Sequence, residues 1–422
     1  MSASSNPVET LRNWAGNVVF SPERIARPES LEQLQDVVSS SRRVHVLGTG
    51  HSFSRVADTD GVLVVLDRMP QTIEVDVAHS TVAVTAQTRW GELAPAVQAH
   101  GLALHTMGSL PHISVAGSAS TGTHGSGTRS GCLATAVRSL DLVTADGSTT
   151  TVSRGDHDFP GSVVALGALG VVTSMRLDLV PTYDIEQTVW ESLPFDIAVE
   201  QLDDVMDCAY SVSMFTTWTS DLVEQVWVKR RTDEPDADLG WTGGHRADGP
   251  RHPVPGAAPD ACTTQGGTPG VWYERLPHFR LDFTPSSGDE LQTEYMVPRA
   301  LAAEAIEAVR QIRDVVSPVL QISEIRTVAA DDLWLSPCQG RDTVCIHFTW
   351  VADARSVAPA VRAVESALSP YAARPHWGKV FSTEPDLVRS LYPHWDDARA
   401  LRDRLDPDGV FTTTFVEAYL PR

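Results

Sequence analysis

The chain has 422 residues, 42% of them hydrophobic, enough to bury the cores of two domains or of one large domain with an insertion. Its formal charge of −21 argues against nucleic acid and anionic membrane surfaces as partners, since both call for a basic face. No run approaches the roughly 20 apolar residues of a membrane span, and the scattered Cys132, Cys208, Cys262, Cys338 and Cys345 form no CxxC pair and no zinc framework.

The start, Met1-Ser2-Ala3-Ser4-Ser5-Asn6-Pro7, has no basic region followed by an apolar one, so no secretory signal and a cytoplasmic location are expected. Residues 28–38 read as a helix: Ser30 and Gln33 make a capping-box pattern, and Leu31, Leu34, Val37 and Val38 make a buried stripe. A strand at 43–47 runs into Gly48-Thr49-Gly50-His51-Ser52. Such a glycine turn can cradle an anion and pin the histidine, although a plain tight turn looks the same. Strands are expected at 62–66, 73–77 and 81–86, then a helix at 90–100 that stops at Gly101.

Residues 107–127 hold five glycines and many hydroxyls, but also Leu110, Ile113, Val115 and two histidines. A flexible linker would not carry those apolar residues, so an ordered phosphate- or cofactor-binding loop is expected. Strands at 140–145 and 148–153 flank Asp146-Gly147, a type I′ turn signal. The small residues of Ala165-Leu166-Gly167-Ala168-Leu169-Gly170-Val171-Val172 lead into a strand that ends near Val180-Pro181.

After 181 the texture changes. A helix at 202–208 precedes a strand pair at 212–218 and 223–229, and 233–270 reads as a long irregular excursion or lid. Residues 298–316 are expected to form one helix, with Ala302, Ile306, Val309 and Ile312 on its buried side. Strands follow at 319–328 and 343–351, then a helix marked by Val357, Val361, Val364 and Leu368. The ending, 405–411, reads as a turn feeding a short terminal strand.

Strand periodicity places Leu320, Ile322, Glu324, Arg326 and Val328 on one face. In the later strand Val344, Ile346, Phe348 and Trp350 share one face, and His347 and Thr349 the other. If the two strands are neighbours, a carboxylate, a guanidinium, an imidazole and a hydroxyl surround one cavity, with Lys379 close behind in the chain. A surface ion pair is the plainer reading of any one of these residues. A cavity lined by all of them suits a neutral polyol, because each hydroxyl needs a paired donor and acceptor.

Taken together, Gly48-x-Gly50-His51-Ser52, Ser109-Leu110-Pro111-His112, Thr121-Gly122-Thr123-His124-Gly125 and His376-Trp377-Gly378-Lys379 resemble the vanillyl-alcohol oxidase flavoprotein family. Within it they are most similar to the bacterial alditol oxidases, with sugar-lactone oxidases nearby. The resemblance implies an α+β, two-domain fold, with an FAD-binding domain from 1–181 completed by 373–422 and an antiparallel-sheet cap over 182–372. It implies FAD attached covalently through His51. Gly48, Thr49, Gly50, Ser52, Ser109, Ser114, Gly117, Ser118, Gly122, Thr123, His124, Gly125, Val171, Val172 and His376 would hold the rest of the cofactor.

The same resemblance makes the protein an oxidase of terminal –CH₂OH groups of polyols such as xylitol and sorbitol, with O₂ reduced to H₂O₂. Lys379 and Arg326 would hold the reacting oxygen and Glu324 would accept from a neighbouring hydroxyl, while His347, Thr349 and Ser109 would bind further along the chain. The proton acceptor stays open between Lys379 and His347. Gly108 stands where the family places a small residue beside the oxygen-reactive carbon of the flavin. Close alditol oxidases have alanine there. Thr413 stands where asparagine is expected. A sugar-lactone oxidase or dehydrogenase is the alternative. A metal-dependent hydrolase lacks any HExxH spacing, so no metal is expected, and the enzyme is expected to act as a monomer.

Overall fold

A computed structural model describes residues 11–283 and 289–422, and the amino-terminal reading over 1–7 lies outside them. The first unit is a small parallel sheet, ordered β1 (Arg24–Ala26), β3 (Val62–Val65), β2 (Val44–Leu47). Helix Leu31–Ser39 joins β1 to β2. Ser30 caps it by accepting from the Gln33 N–H at 3.3 Å, while the Gln33 side chain accepts from the Glu29 N–H rather than from the cap residue. Leu34 and Val38 are buried, but Leu31 is exposed.

Next come β4 (Ile73–Asp76), β5 (Thr81–Thr85), β6 (Leu102–Ala103), β7 (Val137–Val143), β8 (Thr149–Ser153), β9 (Val171–Asp178) and β10 (Val180–Pro181). Five of them make an antiparallel sheet in the order β4-β5-β9-β7-β8, and β6 pairs with β10. The β7–β8 connection is not the type I′ turn expected. Gly147 alone is left-handed (φ 80°), and its N–H donates to the Thr144 carbonyl at 2.8 Å. Asp146 instead accepts from the Ser148 N–H at 3.0 Å, so its side chain takes the role that a second left-handed residue would play.

The Gly/Ser-rich stretch contains a helix that periodicity did not reveal, Val115–Ser120. Its first donors are already used: the Val115 N–H bonds the Thr88 carbonyl at 2.9 Å and the Ala116 N–H bonds that of Ala86 at 3.2 Å. The helix is pinned to the end of β5 through contacts that local composition does not display.

The remaining strands are β11 (Asp184–Pro194), β12 (Ser211–Thr216), β13 (Leu222–Arg231), β14 (His245–Arg246), β15 (Gly270–Val271), β16 (Glu290–Pro298), β17 (Leu320–Val328), β18 (Thr343–Val351) and β19 (Arg374–Pro375). They form one sheet ordered β14-β11-β13-β12-β17-β18-β16-β19, with β15 on β11. Its neighbouring pairs run antiparallel, β17–β18 among them, with Glu324 opposite His347 and Ile322 opposite Thr349. One face packs on helices. Val344, Ile346, Phe348 and Trp350 share a core there with Val357, Val361, Val364 and Leu368 of helix Ala354–Leu368. Burying each such side chain contributes about 1.5–3 kcal/mol. The expected helix over 298–316 is broken into Ala302–Arg310 and Arg313–Val316; Ile312, the residue before the second piece, is only partly buried.

The last fifty residues return to the first core. Val388, Leu401, Phe411 and Val416 pack with Leu34, Val64 and Val115. The expected terminal strand is a helix, Thr414–Tyr419, because the Thr413 hydroxyl accepts from the Val416 N–H at 3.1 Å and caps it.

Candidate active site

A single cavity of about 940 Å³ lies between the glycine loops and the bare face of the large sheet. Its floor is Gly48, Thr49, Gly50, His51 and Ser52 from the β2 turn, with Ser109, Ser114, Gly117, Ser118, Thr123 and His124 from the second loop. The loops are stitched together where the Ser114 N–H donates to the Thr49 hydroxyl at 3.3 Å. At Gly48 a Cβ would stand 2.8 Å from the Ser114 hydroxyl, as would one at Gly117, so a side chain at either position would force that hydroxyl to move. The end of the His51 loop is clamped from both ends of the chain. Trp14 stacks on the His51 ring at 5.7 Å, and the Phe53 N–H donates to the Gly378 carbonyl at 2.7 Å. Leu166, which also lines the cavity, holds a left-handed backbone (φ 57°), a strained conformation of the kind that gathers at ligand sites.

The roof comes from alternate residues of three strands. Gln292 and Glu294 project from β16, Glu324 and Arg326 from β17, and His347 and Thr349 from β18; Lys379 follows β19. Arg326 ties them together. Its Nη2 donates to Glu294 Oε1 at 2.5 Å, its Nη1 to the Ser109 hydroxyl at 3.3 Å, and its Nε lies 3.5 Å from Glu324 Oε1. The Gln292 carbonyl oxygen accepts from Lys379 Nζ and, at 3.2 Å, from His347 Nε2. His347 therefore carries its proton on Nε2. Its Nδ1 is a buried lone pair that no described residue meets.

Charge in this roof is balanced. Burial alone would push the Glu294 carboxyl up, but Arg326 and His124 outweigh it and hold it well below the usual carboxylate range. Burial also opposes ionisation of Glu324, which Arg326 and His278 pull far down. Arg326 is held charged against burial by the same two carboxylates. Burial lowers His347 to about 3 and depresses Lys379. His51 is lowered to about 4, by burial first and then by His112 and Arg89, so its ring is neutral at pH 7. Ligand atoms of His124, Glu294 and His376 lie within 4.8 Å of one another. Arg326 already holds Glu294, and His376 Nδ1 accepts from the Gly378 N–H at 2.9 Å, so the trio serves the ion-pair network.

These buried histidines set an acid limit on folding. His45 and His278 are lowered to about 4 and His347 to about 3, in each case chiefly by burial. In the unfolded chain they take up protons near pH 6.5. A depressed folded pKa means stability that is complete above about 6.5 and is lost as pH falls toward 4. Tm measured across that window is expected to begin dropping near pH 6.5, above the range in which the carboxylates titrate, and the carboxylates add to the loss at its acid end. A flat Tm would contradict the neutral burial.

Comparison with known proteins follows the same lines. The FAD binding domain family matches residues 22–153, and the D-arabinono-1,4-lactone oxidase family matches 289–419. The chain is 51% identical to an alditol oxidase of a Streptomyces species over 411 residues, covering 97% of this chain and 98% of that one. It belongs to the alditol oxidase family of vanillyl-alcohol oxidase flavoproteins. A Mycobacterium tuberculosis L-gulono-1,4-lactone dehydrogenase is 31% identical over 97% of this chain and 98% of its own length. Cholesterol oxidase from B. sterolicum superposes with a TM-score of 0.80 at 13% identity, covering 98% and 97% of the two chains, and so shares the fold.

The enzyme is an FAD-dependent oxidoreductase of that family, built as a flavin-binding domain under an antiparallel cap. The cavity suits the cofactor. Its volume is at the upper end of the roughly 300–1,000 Å³ of ligand pockets, its floor is a glycine cradle, and His51 Nδ1 is buried without a partner among the described residues. No helix of the described residues is long and apolar enough to cross a membrane.

Some residues expected at the cofactor stand elsewhere. Gly122, Gly125 and Val171 do not line the cavity, while Val172 and His376 do. Gly125 is glycine because a Cβ would come 2.4 Å from the Met107 carbonyl oxygen. Ser118 reaches the cavity, but its hydroxyl accepts from Trp90 Nε1 at 2.7 Å and donates to the Val115 carbonyl. Thr413 is a helix cap away from the cavity. Gly108 lines it, and an added Cβ would meet its nearest neighbours at 3.8 Å, so packing alone does not demand glycine. Sequence reading missed Gln292, Glu294 and His278. The first two carried a signal, since Leu291, Thr293, Tyr295 and Val297 alternate with them along β16.

Proposed function

We propose that this chain oxidises the terminal –CH₂OH of open-chain polyols, xylitol and sorbitol among them, to the aldose, with O₂ as final acceptor and H₂O₂ as product. The reading includes a flavin-binding part over 1–181 and 373–422, a cap over 182–372, and FAD tethered through His51, whose neutral, unpartnered Nδ1 is in the form that makes such a bond. Gly48, Thr49, Gly50, Ser52, Ser114, Gly117, Thr123, His124 and His376 would hold the remainder of the cofactor. Bound FAD supplies the two-electron acceptor.

The observation that carries the proposal is the buried roof, where donors, acceptors and one free lone pair converge. Lys379 Nζ and Arg326 donate to the reacting oxygen and favour its developing negative charge. His347 Nδ1 takes the hydroxyl proton. Burial keeps that nitrogen unprotonated down to about pH 3, and Gln292 holds the other ring proton. Glu324 accepts from the next hydroxyl, and Ser109 and Thr349 pair with those beyond. A neutral substrate fits because Glu294, Glu324, Arg326 and Lys379 already balance one another.

Anaerobic addition of xylitol is expected to bleach the yellow absorbance, and oxygen to restore it with one H₂O₂ per turnover. The match of 289–419 to a lactone oxidase family favours sugar 1,4-lactones as the second reading. Bleaching by a lactone and by no polyol would select it.

A further inference from the structure

Behind Glu324 stand two titratable side chains that the reaction above leaves unused, His278 in the cavity wall and Lys229 behind it. Lys229 lies on β13 between Val228 and Arg230 and is 1% exposed. Strand alternation turns it, with Gln225 and Trp227, away from the helices that cover Val226 and Val228 and toward the segment that follows β15. There its Nζ donates to the Leu276 carbonyl at 2.5 Å, the Pro277 carbonyl at 3.1 Å and His278 Nδ1 at 3.0 Å. Three acceptors match the three protons of an ammonium group, whose pKa burial lowers to about 7 against the pull of Glu324.

A neutral imidazole that accepts at Nδ1 carries its proton at Nε2. His278 Nε2 lies 2.8 Å from Glu324 Oε1. The ring is held edge-on between Trp227 at 5.1 Å and Phe215 at 5.7 Å. Its own main-chain N–H donates to the Ser109 carbonyl at 3.1 Å, so the segment after β15 is latched to a residue of the cavity floor. Burial, reinforced by Lys229, keeps His278 neutral above about pH 4. Among the described residues, the contacts to the Glu324 carboxylate from His278 and Arg326 both fall on Oε1.

We propose that Lys229 and His278 are positioning residues, linked as Nζ–H···Nδ1 and Nε2–H···Oε1, which fix one oxygen of Glu324 and aim the other at a substrate hydroxyl. What Glu324 meets rests on the polyol reading; the hydrogen-bond chain does not. Losing the chain frees the carboxylate to rotate and weakens binding of substrate and transition state alike.

The test joins a spectroscopic and a kinetic measurement on the flavin-loaded enzyme. In ¹⁵N-histidine spectra, His278 is expected to be bare at Nδ1 and protonated at Nε2, and Lys229→Met to move the Nδ1 resonance and let Nδ1 take a proton at higher pH, with Nε2 still protonated toward Glu324. Lys229→Met and His278→Leu are each expected to raise KM for xylitol about tenfold with kcat little changed, the loss of one oriented hydrogen bond. His278→Gln, whose amide N–H replaces Nε2–H, is expected to restore KM. A protonated Nδ1 in the wild type overturns the proposal, as does an unchanged KM in folded Lys229→Met. Should that variant not fold, the contrast between His278→Leu and His278→Gln decides. Absence of polyol turnover in the wild type would instead remove the proposed function, and the tautomer would still test the chain.

Discussion

His51→Ala is expected to yield folded protein that loses its yellow colour on acid precipitation, whereas the wild-type pellet stays yellow. Only a covalent bond survives denaturation, so the pellet reports attachment and not affinity. The structure makes His51 a suitable donor on three counts. Trp14 stacks flat on its ring, with 18° between the planes. Its Nδ1 has no partner among the described residues. Burial, with His112 and Arg89, keeps it neutral, so the lone pair is present at working pH. Alanine removes the nucleophile and leaves the loop's main-chain clamps, the bonds of Trp14 to Gly50 and of Phe53 to Gly378, in place. FAD that still binds is expected to wash out on dialysis and to be reduced more slowly, because the electron-withdrawing link is gone. His112→Ala, which removes a neighbouring imidazole but leaves the His51 ring itself, is the control and should keep its colour. A yellow His51→Ala pellet would put the tether on another residue.

Lys379→Met is expected to lower kcat/KM for xylitol by about 10²–10³, the usual cost of removing one preorganised donor from developing negative charge. Methionine keeps most of the aliphatic stem and removes only the Nζ that lies 5.1 Å from the Phe53 ring centre, so cofactor retention should not change. The pH dependence should move as well. His347 is depressed first by burial and then by Lys379 and Arg326, against the pull of Glu294. Without Lys379 its pKa rises from about 3. His347 accepts a proton only when neutral, that is, above its pKa, so the acidic limb of kcat/KM is expected to shift to higher pH. Rates and limb identical to wild type would remove Lys379 and His347 from the chemistry.

Much of the roof was legible because strand periodicity is local. Glu324 and Arg326 two apart, and His347 and Thr349 two apart, declare a shared face without knowledge of the fold, and β17 and β18 proved adjacent. Lys229 and His278 were not legible. One sits in an otherwise ordinary strand and the other in the irregular segment after β15, and only tertiary structure brings them to 3.0 Å. Two local readings failed where context outweighed composition. Val115–Ser120 is small and hydroxylated, yet bonds to Ala86 and Thr88 wind it into a helix. The Thr- and Phe-rich terminus reads as a strand, yet a threonine cap and a place in the first core make it helical. Gly122 and Gly125 share a motif with His124, but they meet Pro337 and Met107 rather than the cavity, because a loop that folds back needs glycine for its own packing.

The clamp on the His51 loop also ties it to residues that are made late in synthesis. The Ser54 hydroxyl donates to the Trp377 carbonyl at 2.6 Å, 323 positions downstream. While the ribosome is still making the large sheet, the segment that presents the imidazole has only half of its anchorage. A chain ending before 377 would carry every glycine of both loops and still lack a finished cradle, because the Trp377 and Gly378 carbonyls that hold Ser54 and Phe53 would be missing.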